Sequence, residues 1–260
     1  MNRAPPAGVG VVAVLIRVGT RGSRLALTQA EHAADLLRGP GIEIALVPIT
    51  TAGDRDRTKP FGQIGERGVF VKELEEALLA GRVDVAVHSA KDMTSTDTGG
   101  LAVGAYPPRE DPRDALCGAE ELRPGMRIGT ASVRRRSRRL DAIVLAACGL
   151  DRLGLEREIG LRFDPRELLP EAGQGALALQ VRAGEEELVA GADDHETRRR
   201  VEAERRCVSL IGGGCLAPVA AHHDGERLSA LVADEDGAWI ERRSGVDAGA
   251  VARELLSALP

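Results

Sequence analysis

Aromatic side chains make up only 2% of this 260-residue chain: three Phe, one Trp and one Tyr. That is too few to build a base-stacking platform for single-stranded nucleic acid, and it leaves the cores to Leu, Val, Ile and Ala. Cysteine is nearly as scarce. Cys117, Cys148, Cys207 and Cys215 show no CxxC spacing and no paired histidines nearby. The sequence therefore predicts no metal site, and reduced thiols rather than a disulfide framework. No apolar run approaches the ~18 residues that a membrane span needs. The N-terminal stretch MNRAPPAGVGVVAVLIRVGT has an Arg and a short apolar run but no small-residue cleavage site, and it flows straight into a strand-like segment. The reading is a cytoplasmic protein. A net charge of -5 argues against a broad nucleic-acid surface.

What is present is 43% hydrophobic sequence, enough for two domains at ~100–200 residues each and a small third one. Strand-like runs at Leu15–Gly19, Ile42–Ile49 and Val83–Val87 alternate with helical patterns from Ser23 to Arg38 and from Val69 to Ala80. This is the grammar of a parallel sheet with crossover helices. A second set of strands is expected near Ala115–Cys117, Met126–Gly129 and Ala142–Ala146, then one at Gly175–Val181. From His195 the pattern changes to a helix, strands near Pro218–Ala221, Leu228–Ala233 and Ala238–Arg242, and a last helix from Ala248. The fold class is α/β, with two lobes and a smaller α+β domain. One link is unusual: only TASVRRRSRRLD joins the strand ending at Gly129 to the one beginning at Ala142, which is at the limit for a parallel crossover.

Chemistry gathers at three strand-to-helix junctions, where lobes of this kind bind ligands. GTRGS offers Arg21 and Ser23, HSAKDM offers Ser89, Lys91 and Asp92, and GTASVRRR offers Thr130, Ser132, Arg134 and Arg135. Hydroxyls and cations around one carboxylate suit a small polyanion, with Asp92 as acid or base. Near the C-terminal end, IGGGCLAPV sets Cys215 behind three glycines. Each feature has a plainer meaning by itself. RRRSRR is a solvated helix face, Lys91–Asp92 a surface ion pair, Cys215 a small buried hydrophobe, and His222–His223 ordinary surface residues. An anion cleft plus a thiol does not name a reaction.

Taken in order, GTRGSRLALTQA, ERGVFVKELEEALL, VDVAVHSAKD, PREDPRDALC, IGTASVRRR, DAIVLAACGLDRLGL, LPEAGQGALALQVR and GGGCLAPV resemble the porphobilinogen deaminase (hydroxymethylbilane synthase) family from about Arg17 onward. The resemblance implies two periplasmic-binding-protein-like (type II) lobes plus a third domain. Lobe 1 would span 14–101 and 172–191, lobe 2 102–171, and the C-terminal α+β domain 192–260. It implies head-to-tail condensation of four porphobilinogen molecules, with release of ammonia, to hydroxymethylbilane in tetrapyrrole (porphyrin, haem) biosynthesis. It implies a covalent dipyrromethane cofactor on Cys215, with Asp92 as the catalytic carboxylate. Carboxylate binding would fall to Arg21, Lys91, Arg134, Arg135 and Arg152, and supporting hydrogen bonds to Thr20, Ser23, Ser89, Thr130 and Ser132. Arg67 would stand in the active-site loop, where many relatives have lysine. The expected partner is the small-molecule substrate alone, with no nucleic acid or membrane, and the expected state is a monomer.

The chain departs from the family in the link between Gly129 and Ala142. Relatives carry a further strand, a helix and an RGN…TR motif there, and this chain has none of them. The expected consequences are the loss of two ladders of hydrogen bonds, an opened apolar seam in the second lobe, and weaker cofactor assembly. The alternatives are an inactive or truncated member of the same family, a two-lobe small-anion-binding protein, and nucleic-acid binding through RRRSRR. Asp92 and Cys215 argue against the simple binder, and charge and aromatic content against the last.

Overall fold

The structure, a computed structural model, describes residues 14–50, 71–93, 98–130, 140–212, 218–234 and 238–259. Strands β1 (Val14–Arg21) and β2 (Ile42–Ile49) pair in parallel over their full length. Helix α1 (Arg24–Leu37) joins them, opened by Ser23, whose Oγ accepts the Ala26 amide at 3.2 Å. Its buried Ala30, Ala33 and Leu37 meet Ile16, Val18, Val85 and Val87 on one face of the sheet. Helix α2 (Lys72–Leu79) covers the other face, setting Leu74, Ala77 and Leu78 against Val83 and Ala86. Val85 and Val87 share one face and Ala86 turns to the other, as side chains alternate along an extended strand, while Val83 precedes the strand. Strands β3 (Val85–Ser89) and β4 (Leu101–Ala105) follow in the chain.

The second sheet takes β5 (Asp114–Cys117), β6 (Ile128–Thr130), β7 (Ala142–Ala146) and β8 (Ile159–Arg162) in the order β6-β7-β5-β8. The chain then returns to the first sheet as β9 (Leu177–Arg182), antiparallel between β3 and β4, giving the order β2-β1-β3-β9-β4. Two sheets of this kind, joined by two crossings, are the expected type II periplasmic-binding-protein-like lobes. Strands β4 and β8 escape the sequence pattern, because five- and four-residue runs that include a glycine show no clear period. With β4 in place, the first sheet reaches Ala105, beyond the expected boundary at 101.

The two sheets repeat one another. Arg17 donates its backbone N–H and Nε to Asp84 Oδ2, both at 2.9 Å, and the Asp84 N–H donates to the Arg17 carbonyl at 2.8 Å. In the second sheet Arg127 donates the same two groups to Asp141 Oδ2 at 2.7 and 3.4 Å, and the Asp141 N–H returns to the Arg127 carbonyl at 2.9 Å. The register beyond each clasp is also shared: Val18 stands opposite Val85, and Ile128 opposite Ala142. The first clasp closes over a separation of 67 residues and the second over 14. The first interval holds α1, β2 and α2; the second has no room for such a set.

Among the described residues, then, the second sheet is the first without its β2. The vacant place is an edge, so a single ladder is missing rather than the two expected for an internal strand. The apolar face formed by Leu116, Ala142, Phe163, Met126, Ile128, Val144 and Leu161 takes in no residue of a described helix.

The third unit is a meander of β10 (Val219–His223), β11 (Leu228–Ala233) and β12 (Ile240–Gly245). Its helices follow α3 (Ala147–Arg152) of the second lobe: α4 (His195–Ile211) and α5 (Ala248–Ser257). They close over Ala221, Leu228, Ala230 and Val232 with Cys207, Val208, Val251 and Leu255.

One buried carboxylate joins all three units. Glu204 of α4 is 0% exposed and accepts Arg109 Nη1 and Nη2 at 2.6 and 3.1 Å. It also accepts the Gly173 and His223 amides, each at 2.8 Å. Arg109 lies on the chain leaving the first sheet, Gly173 on the chain returning to it, and His223 at the end of β10. His222 and His223, expected on the surface, are buried, drawn in by this junction.

Burial alone would push the Glu204 carboxyl up, but Arg109, His222 and the Gly173 amide hold it below its ordinary 4.5. A depressed carboxyl contributes stability that is present above 4.5 and lost as pH falls through the folded value. Glu204→Gln leaves Arg109 buried without its counter-charge, and chemical denaturation at pH 7 should show a loss of about 3–5 kcal/mol. The gap to wild type should narrow below pH 4.5; a pH-independent gap would refute the assignment. The open edge makes a second prediction. Amide hydrogen exchange should be faster over Ile128–Thr130 than over Val18–Thr20, and equal protection would show that β6 has a partner on its outer side.

Candidate active site

The C-terminal ends of β1, β3 and β7 converge on a cavity of about 130 Å³ between the first and second sheets. Arg21 enters from the end of β1 and Ser23 from the cap of α1, where the helix N-terminus adds a positive potential. Ser89 ends β3, and Lys91 and Asp92 occupy the single helical turn after it. That turn is fixed from behind, since the Ala90 amide donates to the Ala176 carbonyl at 3.0 Å and Arg205 Nη1 to the Ala90 carbonyl at 3.3 Å. The second sheet supplies Ala146, Cys148, Gly149 and Arg152. Counted from the two Arg–Asp clasps, Lys91–Asp92 and Cys148–Gly149 are equivalent positions. Both pairs line the cavity, but only the first carries charge.

The cations are held by neighbours. Lys91 Nζ donates to Gln174 Oε1 at 3.1 Å and lies 3.9 Å from Glu171. Arg152, with its side chain 5% exposed, donates Nε to Glu110 at 3.0 Å and Nη2 to the Gly175 carbonyl at 2.9 Å. Among the described residues Asp92 is the one carboxylate in the lining. His88 lies behind it with Nε2 3.0 Å from Gln180 Oε1, and burial lowers its pKa to about 4. It is therefore neutral near pH 7 and adds no cation. Burial pushes the Cys148 thiol up, so it stays protonated. Leu25, Ala26, Val71, Leu74 and Val87 complete an apolar wall, which strengthens the interactions of the charges beside it.

Arg21, Ser23, Ser89, Lys91 and Asp92 thus come together from strand-to-helix junctions, and Arg152, which the family resemblance alone names, joins them from the end of α3. Thr20 does not join them. It is fully buried, and its Oγ1 donates to the Ala26 carbonyl at 2.9 Å, tying β1 to α1. The Lys91–Asp92 surface pair gives way to the Lys91–Gln174 bond. Thr130 ends β6, with its side chain outside the described residues, and Arg67, Ser132, Arg134, Arg135 and Cys215 also lie outside them. Gln29, His88, Cys148 and Gln174 escape the sequence reading. His88 sits inside the HSAKD motif and Gln174 inside EAGQGA, but uncharged side chains gave no reason to single them out.

This arrangement can bind a small molecule bearing several carboxylates and present it to one carboxylate at a dry wall. A family model described as "Porphobilinogen deaminase, dipyromethane cofactor binding domain" matches residues 16–140 and 136–190. The porphobilinogen deaminase of Syntrophotalea carbinolica is 40% identical over 280 aligned residues, covering 94% of this chain and 87% of its own. That of Syntrophobacter fumaroxidans is 38% identical, covering 93% and 91%, and that of Roseiflexus castenholzii 40% identical, covering 94% and 96%. The family match breaks at 136–140, in the short link between β6 and β7. The first alignment also runs over 280 positions, more than this chain's 260 residues, so that relative carries residues that are missing here. By the extent and identity of these matches, the chain belongs to the porphobilinogen deaminase family.

Proposed function

We infer that the chain is a hydroxymethylbilane synthase, a transferase that joins four porphobilinogen molecules head to tail and releases one ammonia at each step. The observation that carries this reading is Asp92, the one carboxylate among the described lining residues, beside Arg21, Lys91 and Arg152 in one cavity. Porphobilinogen carries an acetate, a propionate and an aminomethyl group on a pyrrole. Cations suit its carboxylates, and Asp92 suits its ring N–H and the positive charge that develops as ammonia leaves. Ser23 and Ser89 add neutral hydrogen bonds.

The matched family model is described as binding a dipyrromethane cofactor, and the donor set fits such a group: cations for its carboxylates and one carboxylate for its pyrrole N–H groups. When bound, the cofactor supplies the pyrrole terminus to which the first substrate is joined. Cys215 is its attachment point in this reading, and Arg134 and Arg135 add carboxylate contacts, with Thr130 and Ser132 in support. The three sheets correspond to the two lobes and the cysteine-bearing domain. The protein acts as a cytoplasmic monomer. Among the described residues no helix is long and apolar enough to cross a membrane.

A competing reading is the same family fold without turnover, favoured by the shortened second sheet. Intact mass before and after incubation with porphobilinogen separates the two. The active reading expects a dipyrromethane-sized increment on the wild type, none on Cys215→Ala, and stepwise pyrrole additions. A folded wild type without any increment would establish the inactive reading. In an active chain Asp92→Asn should lower kcat by about 10²-fold or more while leaving the melting temperature near that of wild type. Turnover within a few-fold of wild type would remove Asp92 from the catalytic role.

A further inference from the structure

We propose that Gln174 is a positioning residue for this site, holding the Lys91 ammonium at the cavity wall through its side-chain carbonyl; the proposal rests on the deaminase reading above. Gln174 does not line the cavity. It is 2% exposed and stands behind Lys91 in the turn by which the chain returns to the first sheet.

Its amide has one orientation available. Nε2 donates to the Pro112 carbonyl at 2.8 Å and to Asp114 Oδ1 at 3.1 Å, which leaves Oε1 facing Lys91 Nζ at 3.1 Å. The turn itself is anchored from two sides. Arg109 Nε donates to the Gln174 carbonyl at 2.8 Å, and the Gly173 amide is bound by Glu204. The flanking Gly173 and Gly175 have φ of +75° and +87°. A Cβ at Gly173 would stand 3.0 Å from the Ala90 backbone, and one at Gly175 2.6 Å from the Glu110 carbonyl oxygen. Only glycine lets the turn lie this close to the segment that carries Lys91. The same turn bonds Arg152 through the Gly175 carbonyl, so it fixes two cavity cations that come from different sheets.

An amide suits this task better than a carboxylate. It locates the ammonium without adding a second carboxylate to Glu171, which already lies 3.9 Å away, so more of the charge stays available for a substrate carboxylate. A carboxylate at 174 would bind Lys91 as an internal ion pair and would face Asp114.

Two variants of the full-length protein isolate the carbonyl. Gln174→Glu and Gln174→Met both lose the Nε2 bonds to Pro112 and Asp114, so both should melt below wild type. They differ at Lys91: the carboxylate holds it more tightly, and the thioether releases it. Acylation of Lys91 by limiting acetic anhydride, mapped by mass spectrometry, should be slower than wild type in Gln174→Glu and faster in Gln174→Met. Rates that move in the same direction in both variants, or in neither, would show a merely structural residue and overturn the proposal. In turnover, Gln174→Met should raise KM for porphobilinogen about tenfold with a much smaller change in kcat; an unchanged KM would likewise overturn it. A wild type without turnover would count against the deaminase reading alone, because the acylation contrast still decides the role of Gln174.

Discussion

The geometry of this protein depends on a carboxylate that never meets solvent. Glu204 is charged, and a lone charge in that position would not survive burial. It persists because a guanidinium and two backbone amides from three parts of the chain meet it at 2.6–3.1 Å. Such a group adds little net stability over a well-packed apolar substitute; what it adds is a fixed meeting point. The two connections between the lobes and the end of β10 must all reach the same two oxygens. The strand-to-strand crossings, and with them the Ala90–Asp92 turn and the Gly173–Gly175 turn, are set against one another by that requirement.

The paired Arg–Asp clasps show how one lobe design serves two purposes. In both sheets the clasp fixes the register of two parallel neighbours, from the middle of β1 in the first and from just before β6 in the second, so the C-terminal ends of those strands project a cavity wall. At equivalent positions the first lobe presents Lys91 and Asp92, the second Cys148 and Gly149. Charge and acid–base capacity thus lie on one side, and a small neutral surface on the other. Two carboxylates facing each other across a cavity this small would repel and raise each other's pKa. Confining the carboxylate to one lobe avoids that conflict and leaves, among the described residues, one carboxyl side chain beside cations.

Much of this was legible in the sequence, and the rest was hidden for identifiable reasons. Long amphipathic or alternating segments such as Ile42–Ile49, Ala142–Ala146 and Leu228–Ala233 match their strands residue for residue. Charged side chains after strand ends lead directly to the cavity. Thr20 was misplaced because sequence gives no direction for a hydroxyl, and this one turns inward to a helix carbonyl. His222–His223 lie in a polar-looking stretch whose burial is imposed by Glu204, nineteen residues from His223 and on another element. Gln174 carries no charge to betray it, and its role comes from contacts 60 to 83 residues away.

The shortened second sheet also follows from these constraints. A strand at the centre of a sheet holds two neighbours, and its loss divides the sheet; an edge strand holds one. The missing element corresponds to β2, an edge, and the β6–β7–β5–β8 order is unbroken without it. In the first lobe no residue of β2 contributes to the cavity lining. By the internal repeat, the absence of its counterpart leaves the strand ends that build the site in place. The face of the second sheet that carries Leu116, Val144, Leu161 and Phe163 corresponds to the face of the first sheet beneath α1; no described helix packs on it, yet Leu116 and Phe163 are buried. The wall that carries Cys148, Gly149 and Arg152 is held by β7, α3 and the Gly175 carbonyl on the opposite side of the second sheet, apart from the edge where β2 has no counterpart among the described residues.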